Sequence, residues 1–191
     1  MENERKPEYK INEVFLNRWS PRAMSGEALN EEELMPLIEA AKWAPSSYNN
    51  QPWRFFYSLK DDENWQEFLN LLVEFNQSWA KNAGALIVLV SKKTFDDGSF
   101  SKTHSFDTGS AWENFALQGS ENDLVVHAMQ AFDYEKAHEL LSLPEEYEVE
   151  AMIAVGKPGP KENLPEAIQD KDVPSGRKSI SEISTKGKFQ E

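Results

Sequence analysis

The spacing of apolar residues changes period several times along the chain, and each change predicts an element. Ile11, Val14 and Phe15 stand at i, i+3 and i+4, which predicts a short helix closing a polar arm over residues 1–17. A basic turn broken by proline follows, Arg18-Trp19-Ser20-Pro21-Arg22. Asn30 with Glu33 three positions on is a capping signature for a helix from about Glu31 to Lys42, with Leu34, Leu37, Ile38 and Ala41 as its stripe. Pro36 removes one backbone donor in its second turn and invites a kink. Residues 44–52 read as a loop and Trp53–Leu59 as a strand. Trp65, Phe68, Leu69 and Leu72 predict a second helix over Asp62–Asn76, and Ala85–Ser91 a strand buried on both faces.

A polar loop over 92–105 leads to a long helix over Asp107–Gly119, carrying Ala111, Phe115 and Gln118 on one face. Leu124–His127 is a short strand. Asp133 caps a helix to about Leu141, with Phe132 and Ala137 as a hydrophobic staple. Val149, Ala151, Ile153 and Val155 alternate, predicting a last strand that Gly156 and Pro158 end. Residues 159–191 are rich in Pro, Lys, Asp and Glu and too weakly apolar to bury themselves. They are either a disordered tail or an arm on a partner surface. No repeat or linker divides the chain, so residues 1–191 form a single domain.

Composition narrows the function. The 191 residues suit one domain, and 11 Phe, 6 Trp and 5 Tyr supply most of a core. The net charge of −13 repels nucleic-acid backbones and anionic lipid, so neither is an expected partner. With no cysteine, disulfides, thiolate metal sites and thiol nucleophiles are excluded. The start of the sequence lacks an apolar signal segment, and the longest apolar run, Ala85–Val90, cannot span a bilayer. A cytoplasmic setting is expected. The histidines lie 23 and 11 residues apart, without metal-ligand spacing, and His104 and His138 read as surface residues. No metal and no catalytic side chain is assigned.

Two constellations carry chemistry. Two of the five arginines flank Ser20, at Arg18 and Arg22, and Arg177 neighbours Lys178 in the tail. A guanidinium fork suits phosphate, although two solvated arginines in a turn is the plainer alternative. Pro45-Ser46-Ser47-x-Asn49-x-Gln51-Pro52-Trp53 sets short polar side chains between prolines just before a strand. That suits a polar heterocycle or polyol held on a rigid loop, or simply a well-capped turn. Asn76 and Trp79 add an amide and a stacking surface.

These motifs, in this order, resemble the nitroreductase-like family of FMN-dependent flavoproteins. The resemblance continues through Asn76-Gln77-x-Trp79-Ala80-Lys81-Asn82-Ala83, Asp107-x-Gly109-x-Ala111-x-x-Asn114, His127-x-Met129-x-x-Phe132-Asp133, Ile153-Ala154-x-Gly156-Lys157-Pro158 and Arg177-Lys178, then Ile180 and Glu182. It covers roughly residues 10–189. It implies an α+β fold with a mixed, mainly antiparallel sheet sandwiched by helices. It also implies an intertwined homodimer in which residues 159–191 embrace the other subunit.

The resemblance further implies non-covalent FMN, with NAD(P)H as reductant and a small nitroaromatic or quinone-type acceptor in ping-pong. Arg18, Ser20, Arg177 and Lys178 would hold the phosphate and ribityl chain, beside Trp19, which stands where the family often has Arg or His. Arg22 would approach the N1/O2 edge of the flavin and Asn76 its O4/N3 edge. Met129, Gln130 and Ala131 would cover one face, with a backbone N–H near N5. Pro45, Ser46, Ser47, Asn49 and Gln51 would come from the other subunit. Ala131 stands where the family often has Gly, and Ser120–Leu124 is more polar than usual. Two other functions fit the sequence: an FMN carrier or sensor without turnover, and an acidic interaction scaffold with no cofactor.

Overall fold

Strand β2 (Ala85–Lys92) is almost wholly buried and organises the molecule. In this computed structural model, which describes residues 5–188, β2 pairs with β1 (Trp53–Leu59) on one side. On the other it pairs with β4 (Tyr147–Gly156), and β3 (Val125–Met129) closes the order β1-β2-β4-β3. Residues 1–4 of the expected N-terminal arm and 189–191 of the expected C-terminal arm lie outside the described residues. All three pairings are antiparallel, and no parallel pair occurs among the described residues.

Each face of the sheet carries a helical layer. On one, Leu34, Leu37 and Ala41 of α2 (Glu31–Lys42) and Ala111, Phe115 and Ala116 of α5 (His104–Glu121) cover Ala85, Ile87, Leu89, Ile153 and Val155. The Asn30 cap forms as predicted: its side chain accepts from Glu33 N–H, and Glu33 accepts from Asn30 N–H. Helix α2 and the sheet close tightly on α5 at Gly119, where a Cβ would lie 2.3 Å from Val126 Cγ2 and 3.1 Å from Leu37 Cδ2. Only glycine permits that approach.

The other face packs Leu86, Val88, Val90, Met152 and Ala154 against α3 (Trp65–Leu69), α4 (Glu74–Ala80) and α6 (Tyr134–Leu140). The single helix expected over Asp62–Asn76 is thus two, and the break has a tertiary cause. Asp133 N–H donates to Leu71 O at 2.8 Å and Val73 N–H to Ala131 O at 3.4 Å, bridging Leu72 to Phe132. Leu71 and Leu72 are drawn straight into the core, and α4 begins anew beyond them.

The alternation expected from Val149 to Val155 is also interrupted. Leu89 pairs with Ala151 and Val90 with Val149, so Glu150 is the extra residue of a β-bulge. The bulge reverses the phase: Val149 joins the α3/α4 face while Ile153 and Val155 join the α2/α5 face. Glu150 then accepts from the hydroxyls of Ser91 and Ser105. Ser91 Oγ in turn lies 2.8 Å from His104 Nδ1. His104 is therefore no surface residue, as its side chain is only 13% exposed.

The segment beyond β4 also differs from expectation, because part of it does bury itself. Leu164 and Ile168, the latter in α7 (Glu166–Gln169), enter the core. From Val173 onward nearly every described residue is exposed, including those of α8 (Ile180–Ile183) and the stretch with Arg177 and Lys178. No helix among the described residues is long and apolar enough to cross a membrane.

Candidate functional site

The loop between α1 (Val14–Asn17) and α2 carries Arg18, Ser20 and Arg22, and four distant segments grip its backbone. From the N-terminal arm, Arg5 Nη1 donates to Leu16 O at 2.7 Å and Arg18 O at 2.8 Å. From β3, His127 Nδ1 lies 2.8 Å from Ser20 O and 3.0 Å from Pro21 O. Both partners only accept, so Nδ1 carries the proton. From beyond α7, the Asp172 carboxylate accepts from Arg22 N–H at 3.0 Å and Ala23 N–H at 3.2 Å. After β4, Gly159 N–H donates to Ala23 O, and a Cβ there would stand 2.4 Å from Met24 backbone atoms.

This grip sets the side chains. Arg18 Nη1 donates to Ser20 Oγ at 3.3 Å, and its Nε lies 3.8 Å from Glu113 of α5. Arg22 lies 3.6 Å from Asp172 and over the Trp79 ring at 5.9 Å, with 31% of its side chain exposed. Trp79 meets the His127 ring edge-on behind it. Burial, then the nearby Arg22 cation, pushes His127 below its ordinary pKa of 6.5, against the opposing pull of the two carbonyls and Asp172.

That shift has a testable consequence. A depressed histidine pKa makes the unfolded chain the better proton acceptor below about 6.5. Stability from the neutral imidazole is complete above that value and falls as pH drops toward the folded pKa. His127→Asn, which keeps a donor near the Nδ1 position, should therefore lose less melting temperature between pH 7 and pH 5 than the parent chain. Identical pH slopes would show that His127 is not held neutral.

Asn76 and Ala131 are brought together. Asn76 Nδ2 donates to Ala131 O at 3.0 Å, the carbonyl that also accepts from Val73. The Ala131 carbonyl is thus fixed, while the Ala131 N–H, which belongs to the preceding peptide unit, has no partner among the described residues. Met129 is buried beneath, and Gln130 and Ala131 are exposed.

The Pro45–Gln51 loop stands apart. Ser47 N–H donates to the buried Asp107 at the head of α5, and Ser46 Oγ accepts from Gln51 N–H. These ties hold three non-glycine residues, Tyr48, Asn49 and Gln51, at φ 51°, 56° and 47°. Left-handed backbone at such residues costs about 1–3 kcal/mol each and tends to mark functional loops. Within one chain the loop makes no hydrogen bond or ion pair with Arg18, Ser20, Asn76 or Ala131 among the described residues. Trp19 is half-buried beside Arg18. Arg177 turns its guanidinium onto Ser175 and Gly176, and Lys178 is exposed.

Sequence reasoning passed over Asp172, which carries no local signal, and Arg5, whose one signal is that arginines are few in so acidic a chain.

A layered α+β fold with a cationic loop at the sheet's edge defines a class, and comparison gives it a name. Residues 16–73 and 58–157 match the Nitroreductase family. The chain belongs to that family. A solved oxidoreductase containing FMN is 39% identical with a TM-score of 0.94, covering 100% of this chain and 98% of that one. A Clostridium acetobutylicum structure named as an NADH oxidase is 29% identical with a TM-score of 0.66, over 79% of this chain and 90% of that one. YdgI of Bacillus subtilis strain 168, named as an NAD(P)H nitroreductase, is 38% identical over 61 residues. That stretch is 32% of this chain and spans only 28% of YdgI.

Proposed function

We propose that the protein is an FMN-dependent oxidoreductase that uses NAD(P)H to reduce a small acceptor of nitroaromatic or quinone type in ping-pong. When bound, FMN supplies hydride transfer at N5, and the protein supplies binding, orientation and field. The observation that carries the reading is the donor set on the gripped loop. Arg18 and Ser20 are held together by a framework reaching from Arg5 to Asp172, in a chain of net charge −13. Such a local reversal of field suits a phosphomonoester dianion. The whole-chain likeness to an oxidoreductase containing FMN supports the same cofactor.

In this proposal Arg18, Ser20, Arg177 and Lys178 would hold the phosphate and ribityl chain, beside Trp19. Arg22 would supply positive charge at the N1/O2 edge, tempered by Asp172. Asn76 anchors Ala131 by its carbonyl, and the unpartnered N–H on the other side of that residue suits an acceptor such as N5. Met129 and Gln130 would complete that wall. Pro45, Ser46, Ser47, Asn49 and Gln51 would serve the site of a second copy. A homodimer is supported by aromatic side chains left in solvent around the head of α5, such as Tyr48 at 93% and Phe106 at 77% exposed. The arm beyond Val173 would pack on that second copy.

Purified protein should take up FMN and oxidise NAD(P)H steadily only when a quinone is added. FMN uptake without turnover would instead make it a carrier or sensor. A colourless protein that takes up no added FMN would remove the cofactor reading.

A further inference from the structure

We propose that Arg5 is a further member of the phosphate site, fastening the Arg18 loop by its carbonyls and adding a cation beside Arg18 and Arg177. This rests on the FMN reading above. Arg5 touches the chain at Leu16 O, in the last turn of α1, and at Arg18 O, the carbonyl of the residue whose side chain is directed. One terminal nitrogen makes both bonds, so the arginine sets the direction in which the Arg18–Ser20 pair leaves the end of α1. The same arm reaches the C-terminal segment, where Glu8 Oε1 accepts from Ile180 N–H at 2.8 Å. A cavity of about 310 Å³ separates the two arms; Arg5, Lys6, Arg177 and Lys178 line it, together with Glu8 and apolar side chains such as Phe15 and Ile180.

The electrostatics point the same way. Burial and the neighbouring cations of Arg177 and Arg18 press the Arg5 pKa below its ordinary value. Guanidinium groups from three separate stretches, Arg5, Arg18 and Arg177, thus lie near enough to act on one another, in a chain with 33 acidic and 20 basic residues. Glu113 lies 3.8 Å from Arg18 and is half exposed, and Glu8 lines the cavity beside Arg5. A phosphate dianion suits such a set of cations.

The test compares FMN and riboflavin, which differ only in the phosphate, by fluorescence titration of the full chain at two salt concentrations. Arg5→Ala should weaken FMN about five- to twentyfold and riboflavin less than about twofold, with a shallower salt dependence for FMN. Arg5→Lys, which keeps the charge, should recover part of the loss. Equal weakening of both ligands would reduce Arg5 to loop support, and unchanged FMN binding would remove it from the site. Either result overturns the proposal while leaving FMN bound to the parent chain. Failure of the parent chain to bind FMN would instead overturn the underlying reading, and Arg5's role with it.

Discussion

Arg18→Ala is expected to weaken FMN binding about ten- to hundredfold while leaving riboflavin nearly unchanged. A hydrogen bond to a charged group contributes about 1.5–3 kcal/mol, and each 1.4 kcal/mol is a factor of ten. The Arg18 side chain is only 15% exposed and already directed by Ser20, so little ordering remains when phosphate arrives. The substitution also releases Glu113, 3.8 Å from Arg18 Nε, which would then face the phosphate as a like charge. Arg18→Ala should accordingly exceed Arg5→Ala in effect. Glu113→Gln should leave FMN binding equal or tighter, because it removes the carboxylate and keeps the guanidinium. Titration of both ligands with each variant decides the matter. Riboflavin weakened as much as FMN would make Arg18 a structural residue.

The contrast between Arg18 and the residues that grip it shows what a sequence reveals of such a site. Helix α2 and strand β1 run over the very residues their periodicity marks, because each is set by local terms: a capping box, one apolar stripe, a proline-bounded start. The chemistry proposed to face the ligand is marked in the sequence for a similar reason. Phosphate demands arginine and hydroxyl side chains, and these show as Arg18-x-Ser20-x-Arg22 in a chain poor in arginine. The framework was not legible. Asp172 acts on backbone N–H groups 149 and 150 residues away, and His127 on carbonyls 106 and 107 residues away. Any residue supplies those backbone groups, so neither end of the contact marks the sequence.

The same holds for the two failures of pattern. Leu69 to Leu72 read as one helix because the bridge to Phe132 that straightens them lies some sixty residues on. The β-bulge at Glu150 leaves the odd-numbered alternation intact on paper while moving Val149 to the opposite face. In a chain with 33 acidic residues nothing local distinguishes Glu150, the residue on the bulge. In the fold it accepts from Ser91, which draws His104 inward.

Asp172 is where fold and site meet most directly, and its removal should have the largest effect on stability. Its side chain is 4% exposed and accepts from two consecutive backbone N–H groups. Alanine would leave two part-buried donors without their acceptor, at about 1–2 kcal/mol each, the lower part of the range for a fully buried group. The Arg22 ion pair adds little, since that side chain is partly in solvent and the separation is 3.6 Å. A total of about 2–4 kcal/mol would lower the melting temperature of a chain this size by roughly 5–15 °C. Asp172→Asn keeps one accepting oxygen and should lose less than half as much, which makes it the variant for functional work. There the sign reverses. Asparagine frees the Arg22 cation from its counter-charge, so the potential of bound FMN should rise, whereas Arg22→Ala should lower it. About 30 mV corresponds to 1.4 kcal/mol for a two-electron couple. Redox titration of the three proteins, beside their thermal melts, separates the two roles. Equal potentials in the parent, Asp172→Asn and Arg22→Ala proteins would place the Arg22–Asp172 pair away from the flavin ring. An undiminished melting temperature in Asp172→Ala would show that the grip on the Arg22 loop comes from the other three segments alone.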